Sequence, residues 1–72
     1  MKKVFKMKNL DCANCAAKME NKIKKLDGVR DASISFMNQR LTIEAEESEF
    51  ESIIDRAAEI CRKVDKECEI VR

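Results

Sequence analysis

The alternation of apolar and polar residues predicts six short secondary-structure elements in this chain. From Val4 to Lys8, apolar and charged residues alternate, which is the period of a strand with one buried face. Apolar residues then recur three and four positions apart, as they do on one face of an amphipathic helix. These residues are Ala16, Met19, Ile23 and Leu26. Gly28 follows them, and glycine readily takes the left-handed conformation that ends a helix.

A hairpin and a second helix are predicted next. Residues 32–36 and 41–43 alternate between apolar and polar types on either side of a short turn, which is typical of a β-hairpin. Residues 50–64 carry apolar side chains at helical spacing. Ser48 and Glu51 have the spacing of a capping box, in which both side chains bond to backbone amides at the start of the helix.

The chain closes with a predicted strand in which Cys68 and Ile70 share one face. The order is therefore βαββαβ, which predicts an α+β, ferredoxin-like fold with a four-stranded antiparallel sheet and two helices on one face. We expect one domain over residues 1–72, because 72 residues are few for more than one hydrophobic core. In this fold the loop before the first helix and the loop after the second lie at the same end.

Composition and charge narrow the class of protein. The chain has no run of the ~20 apolar residues that a membrane span requires, and its lysine-containing start is unlike a signal peptide. We expect a cytosolic domain whose four cysteines are reduced thiols. The net charge of +1 gives no sign of nucleic-acid binding. Residues 1–30 hold nine basic and three acidic residues, and residues 31–72 hold six and eleven, so a basic and an acidic face are expected.

Two cysteines, Cys12 and Cys15, stand where the first helix is predicted to begin. A thiolate is stabilised near a helix N-terminus, because free backbone amides and the helix dipole favour negative charge there. This spacing lets both sulfurs point to one spot. The pair therefore suits metal binding and disulfide exchange equally well.

The residues around the CxxC pair help to choose among a redox site, a structural zinc site and an open metal-binding site. A thiol–disulfide oxidoreductase is disfavoured, because its motif belongs to a βαβ framework and normally has a proline nearby, whereas this chain has no proline. A structural zinc site is usually closed by a second CxxC or a histidine pair. The chain has no histidine, and Cys61 and Cys68 are too far apart in sequence to form a second CxxC. An open site with two strong ligands, suited to an ion in transit, is favoured.

The segment MKNLDCANCAAKMENKIKKLDGV resembles the heavy-metal-associated domain of small metallochaperones and metal-transporting P-type ATPases. The resemblance covers nearly the whole chain and implies that Cys12 and Cys15 are the metal ligands. Asn9 stands where the family usually has glycine, and asparagine tolerates a positive φ better than most residues. Asp11 and the ending ICRKVDKECEIV are similar to the branch of ATPases that exports Zn(II), Cd(II) or Pb(II).

The resemblance also implies a role and partners. The chain would be the non-enzymatic, cytosolic N-terminal domain of such an ATPase, which captures an ion and passes it on by ligand exchange. Its partners would be the metal ion, other domains of the ATPase or a metal-donor protein, with no nucleic acid or membrane contact, and the domain would be a monomer. A free-standing Cu(I) metallochaperone is the first alternative. A structural interaction domain whose thiols bind nothing tightly is another.

Asp11 bears on the choice of metal. Two thiolates alone suit Cu(I), whereas Zn(II) and Cd(II) take about four ligands and accept carboxylate oxygen. A carboxylate next to Cys12 would supply a third ligand and a further negative charge, so Asp11 is predicted to be a ligand that favours a divalent ion. The alternative is that Asp11 only faces solvent or caps the helix.

The remaining candidates have mainly structural interpretations. Cys68 is expected in the core, where a free cysteine behaves as a small hydrophobe. Cys61 is expected to be packed or partly exposed, with a secondary contact to the CxxC pair as the alternative. Three lysines follow the polar side of the first helix, either as a solvated face or as a basic strip that steers an acidic partner. They are Lys18, Lys22 and Lys25.

Overall fold

The computed structural model describes residues 1–71, and within them it contains four strands and two α-helices in the predicted order. They are β1 (Lys2–Lys8), α1 (Ala13–Lys24), β2 (Val29–Ser35), β3 (Arg40–Ala45), α2 (Phe50–Val64) and β4 (Glu69–Val71). A short 3-10 helix, Glu47–Glu49, precedes α2. Neither α-helix in residues 1–71 has the length and apolar character needed to cross a membrane. Arg72, the last residue of the predicted domain, lies outside the described residues.

The four strands of the described chain form one antiparallel sheet in the order β2-β3-β1-β4. The inner strand β1 pairs with the other inner strand, β3, so that Phe5 lies opposite Leu41, and with β4, so that Met7 lies opposite Ile70. Helix α1 packs against β2, helix α2 packs against β4, and the two helices contact each other. This arrangement confirms the predicted ferredoxin-like fold.

The hydrophobic core lies between the helices and one face of the sheet. Val4, on the other face of β1, is 58% exposed, whereas Met7 is 3% exposed, as the alternation in this strand predicts. Burial of a side chain the size of leucine or isoleucine contributes about 1.5–3 kcal/mol. The buried residues are Met7, Leu10, Ala16, Met19, Ile23, Ala32, Leu41, Ile43, Ala45, Phe50, Ile53, Ile54, Ala57, Cys61 and Cys68.

The start of α2 differs from the prediction. Ser48 lies inside the 3-10 helix, and the N-cap of α2 is Glu49, which makes no side-chain capping hydrogen bond. The Glu49 amide donates instead to the Glu46 carbonyl at 3.0 Å. The predicted capping box of Ser48 and Glu51 is therefore wrong, because a backbone turn occupies the place of the side-chain cap.

Three connections of the fold lie together at one end of the sheet. The pairing of Lys6 with Arg40 brings the β2–β3 turn beside the end of β1. The pairing of Lys8 with Glu69 brings the α2–β4 connection to the same place. We call this region the loop end, and it consists of residues 9–12, 36–39 and 65–68.

Candidate metal-binding site

Cys12 is the N-cap of α1, and its backbone is extended, with φ −124° and ψ 117°. Its Sγ accepts a hydrogen bond from the Cys15 amide at 3.3 Å, and its carbonyl accepts one from the Ala16 amide at 3.0 Å. A cysteine sulfur thus takes the place that a serine or aspartate oxygen usually has at a helix start. The first turn of α1 therefore brings Cys12 and Cys15 together, as the spacing predicts.

The two thiols differ in acidity. The Cys15 thiol and the Cys15 amide both hydrogen-bond to the sulfur of Cys12, and these contacts lower the pKa of Cys12. The pKa of Cys15 is raised, because its thiol donates to Cys12, is partly desolvated and lies close to the Cys12 charge. Both residues are free and half-buried, so the site is open to solvent on one side. Cys12 is therefore the first of the pair to ionise.

The loop that leads to Cys12 is held by hydrogen bonds to the β2–β3 turn and to the α2–β4 connection. Asn9 has a φ of +59°, as expected for a residue at a position where glycine is usual, and its Nδ2 donates to the Glu67 carbonyl at 3.2 Å. The buried Leu10 donates its amide to Oε1 of Gln39 at 3.1 Å. The Leu10 carbonyl accepts from Nε2 of the same side chain. The loop is thus tied to the β2–β3 turn and to the α2–β4 connection.

Asp11 is exposed on the surface of the loop end. In the part of the chain that the structure describes, no three His, Cys, Asp or Glu side chains are grouped so that they could hold a metal ion. The structure thus brings Cys12 and Cys15 together and leaves the Asp11 carboxylate facing solvent. Its role as a third ligand stays a prediction.

This arrangement of a thiol pair at the loop end can be compared with known proteins. The family model of the heavy-metal-associated domain matches residues 4–67. The chain belongs to this family.

Relatives of this heavy-metal-associated domain include much longer ATPases. It is 28% identical over 65 residues, or 90% of its length, to the cadmium, zinc and cobalt-transporting ATPase of Bacillus subtilis. It is 32% identical over 56 residues, or 74% of its length, to the zinc/cadmium/lead-transporting P-type ATPase of Escherichia coli K12. The chain spans only 9% and 8% of these two proteins.

The fold of the heavy-metal-associated domain also matches solved structures. The CopZ metallochaperone superposes with a TM-score of 0.74 over 99% of this chain and 100% of that one, at 15% sequence identity. At this identity the likeness concerns the fold. This superposition is independent support for the ferredoxin-like fold.

Asp65 lies close to the candidate site, and the sequence patterns did not single it out. It is half-buried at the C-cap of α2, where its amide donates to the Cys61 carbonyl at 2.8 Å. Its negative charge makes a smaller, unfavourable contribution to the ionisation of both Cys12 and Cys15. The carboxylate therefore lies near the thiol pair, although it is distant in sequence. The predicted fold places the α2–β4 connection beside the CxxC loop, but it does not specify which side chain of that connection approaches the thiols.

Cys61 and Cys68 are fully buried in the domain core. Their thiols hydrogen-bond to each other, and burial raises the pKa of Cys61 to about 12. Burial is also the main cause of the raised pKa of Cys68. The expected core position of Cys68 is confirmed, although it lies just before β4, and Cys61 is packed as well. Neither thiol is available as an exposed ligand.

Proposed function

We propose that this domain binds a soft or borderline heavy-metal ion through Cys12 and Cys15 and passes it on by ligand exchange. The observation that carries the proposal is the pair of half-buried, free thiols at the first turn of α1. The free amides and the dipole of the helix start stabilise the negative charge that two thiolates bring. Two protein ligands leave coordination positions open for the ligands of an acceptor, and such vacancies allow transfer.

We further propose that the domain acts in a P-type ATPase that exports Zn(II), Cd(II) or Pb(II). The similarity to ATPases with cadmium, zinc and lead in their names supports this role, although the domain corresponds to a small share of each. In this role the domain is non-catalytic and cytosolic, and it works as a monomer. It receives the ion from a metal-donor protein or exchanges it with other domains of the same ATPase.

For a divalent ion we propose Asp11 as the third ligand. The residue directly precedes Cys12 and is exposed, so its carboxylate is the acidic group next to the thiol pair in the sequence. Zn(II) and Cd(II) accept a carboxylate oxygen beside thiolates, and water or an acceptor group would complete the coordination.

A Cu(I) metallochaperone is the second candidate, and one observation favours it. Among residues 1–71 the structure groups the two thiols with no third His, Cys, Asp or Glu side chain placed to hold an ion with them. Cu(I) is satisfied by soft thiolate ligands and does not require a carboxylate.

The proposal is tested by a competition titration with a chelator of known affinity under reducing conditions. We expect one ion per wild-type domain and no tight binding in the Cys12→Ser/Cys15→Ser double variant. Cys68→Ala is the matched control, because it removes a cysteine that lies in the core, and it should bind like the wild type. Tight binding that survives in the double variant would overturn the assignment of the site.

A further inference from the structure

We infer that Gln39, in the β2–β3 turn, is a positioning residue for the loop that carries Cys12. This inference rests on the proposed function, because it concerns the same metal site. The side-chain hydrogen bonds of Gln39 in the described chain go to backbone groups and not to the thiols. Gln39 acts through Leu10, the residue two positions before Cys12.

The Gln39 side chain bonds to both polar backbone groups of Leu10. Its Oε1 accepts from the Leu10 amide at 3.1 Å, and its Nε2 donates to the Leu10 carbonyl. Nε2 also donates to the Phe36 carbonyl at 3.3 Å. The Gln39 carbonyl in turn accepts from the Met7 amide at 2.8 Å. The residue is thus fixed to β1 by its backbone and to the CxxC loop by its side chain.

The backbone of Gln39 supports a role for its side chain. Its φ is +54°, in the left-handed region that glycine adopts without strain and that is unfavourable for other residues. Glycine would relax this position, but it has no side chain to hold Leu10. A glutamine in this conformation is therefore consistent with a requirement for its two-sided hydrogen bonding.

The contacts of Leu10 and Cys12 restrict the conformation of the loop between them. Leu10 is 1% exposed and held by Gln39, and Cys12 is held by the first turn of α1. Asp11 is the single residue between these two fixed points. The loop is therefore ordered before an ion arrives, and binding does not have to order it. Preorganisation of this kind strengthens binding because less conformational entropy is lost on association.

A purely structural role for Gln39 is the alternative, and the chain offers a matched control for it. Glu20 on α1 also bonds to a backbone group of another element, because its Oε2 accepts from the Ile34 amide at 2.8 Å. This contact joins α1 to β2 and does not involve the CxxC loop. Glu20→Ala should therefore lower thermal stability without changing metal affinity.

The Gln39→Gly substitution distinguishes a positioning role of Gln39 from a purely structural one. The substitution removes the contacts to Leu10 but relieves the left-handed backbone, so the melting temperature should fall less than in Gln39→Ala. In both variants the affinity for Cd(II), measured by competition, should fall about tenfold, the lower end of losses seen for groups that orient metal ligands. Exchange of the Leu10 amide with solvent, measured by NMR on the metal-free domain, should become faster.

The outcomes distinguish the positioning role from the proposed function. A Gln39→Gly variant with wild-type Cd(II) affinity, or an equal loss of affinity in Glu20→Ala, would overturn the positioning role. Unchanged exchange of the Leu10 amide in Gln39→Gly would overturn it without reference to any metal. A wild-type domain that binds no ion would overturn the proposed function instead, while leaving the amide exchange measurement valid.

Discussion

The sulfur of Cys12 lies 3.3 Å from the backbone nitrogen of Cys15, so a proposed metal ligand also caps the helix that follows it. The same atom therefore serves the stability of the metal-free domain and the binding of an ion. Substitutions of Cys12 can separate these two roles, because oxygen and sulfur differ as ligands but both accept hydrogen bonds.

We expect Cys12→Ser to retain the stability of the metal-free domain and Cys12→Ala to lose about 0.5–1 kcal/mol, as other helices do when their N-cap acceptor is removed. Both variants should lose tight metal binding. Urea unfolding of the reduced, metal-free proteins gives the stability, and a chelator competition gives the affinity. Equal stability of the wild type and Cys12→Ala would mean that the sulfur does not act as a cap in solution.

The four thiols should react with an alkylating agent in a fixed order. Cys12 should react first, because hydrogen bonds from Cys15 lower its pKa, and Cys15 should follow at higher pH because its pKa is raised. Cys61 and Cys68 should stay unmodified in the folded domain, since both are buried and their pKa values are raised. Mass spectrometry after limited treatment with iodoacetamide over a range of pH measures this order.

The unfolded chain is the control for thiol reactivity. In guanidinium chloride all four cysteines should react at similar rates with a pKa near the ordinary value of about 8.5. Modification of Cys61 or Cys68 as fast as Cys12 in the folded domain would contradict their burial.

Asp11→Asn should lower the affinity for Zn(II) and Cd(II) by at least about tenfold, a loss typical even of groups that only orient metal ligands, and should leave Cu(I) nearly unaffected. The reason is that Cu(I) needs only the two thiolates, whereas a divalent ion loses a carboxylate ligand. The measurement is a competition titration of each ion under reducing conditions.

Asp65→Asn is the matched variant for Asp11→Asn, because Asp65 also lies near both thiols. A large divalent-specific loss in this variant alone would move the third ligand from Asp11 to the α2–β4 connection. No loss for any ion in either variant would favour the Cu(I) metallochaperone.

Cys68→Ser should destabilise the domain by about 1–3 kcal/mol, because it places a hydroxyl in an apolar position. Its metal affinity should match the wild type, since the thiol is 0% exposed. Urea unfolding and the same competition titration test the two statements. A substantial loss of affinity at unchanged stability would show that Cys68 takes part in metal binding.

Local patterns in the sequence were sufficient for most of the fold. Alternation around Met7 predicts the buried face of β1, and helical spacing around Met19 predicts the buried face of α1. Both residues are buried as expected. The positive φ of Asn9 was expected from the family resemblance, because Asn9 stands where the family usually has glycine and asparagine tolerates that conformation. The start of α2 was not, because the Ser48 pattern does not reveal that a 3-10 turn precedes the helix.

The candidate site was only partly predictable. The CxxC pair is local, so its spacing alone brings Cys12 to Cys15. The contacts of Gln39 with Leu10 and the proximity of Asp65 to the thiols connect residues far apart in sequence. Such contacts depend on strand register and loop conformation, which hydrophobic periodicity does not encode.

Because one thiol pair is buried and the other is half-buried, the two pairs differ in their exposure to oxidants. An oxidant that reaches the domain meets Cys12 and Cys15 before the shielded pair of Cys61 and Cys68. A disulfide between Cys12 and Cys15 would occupy both thiols of the candidate metal site while the core keeps its packing, and a thiol reductant would restore them. If the proposed function holds, oxidation would block metal binding reversibly, and a bound ion would protect the two thiols.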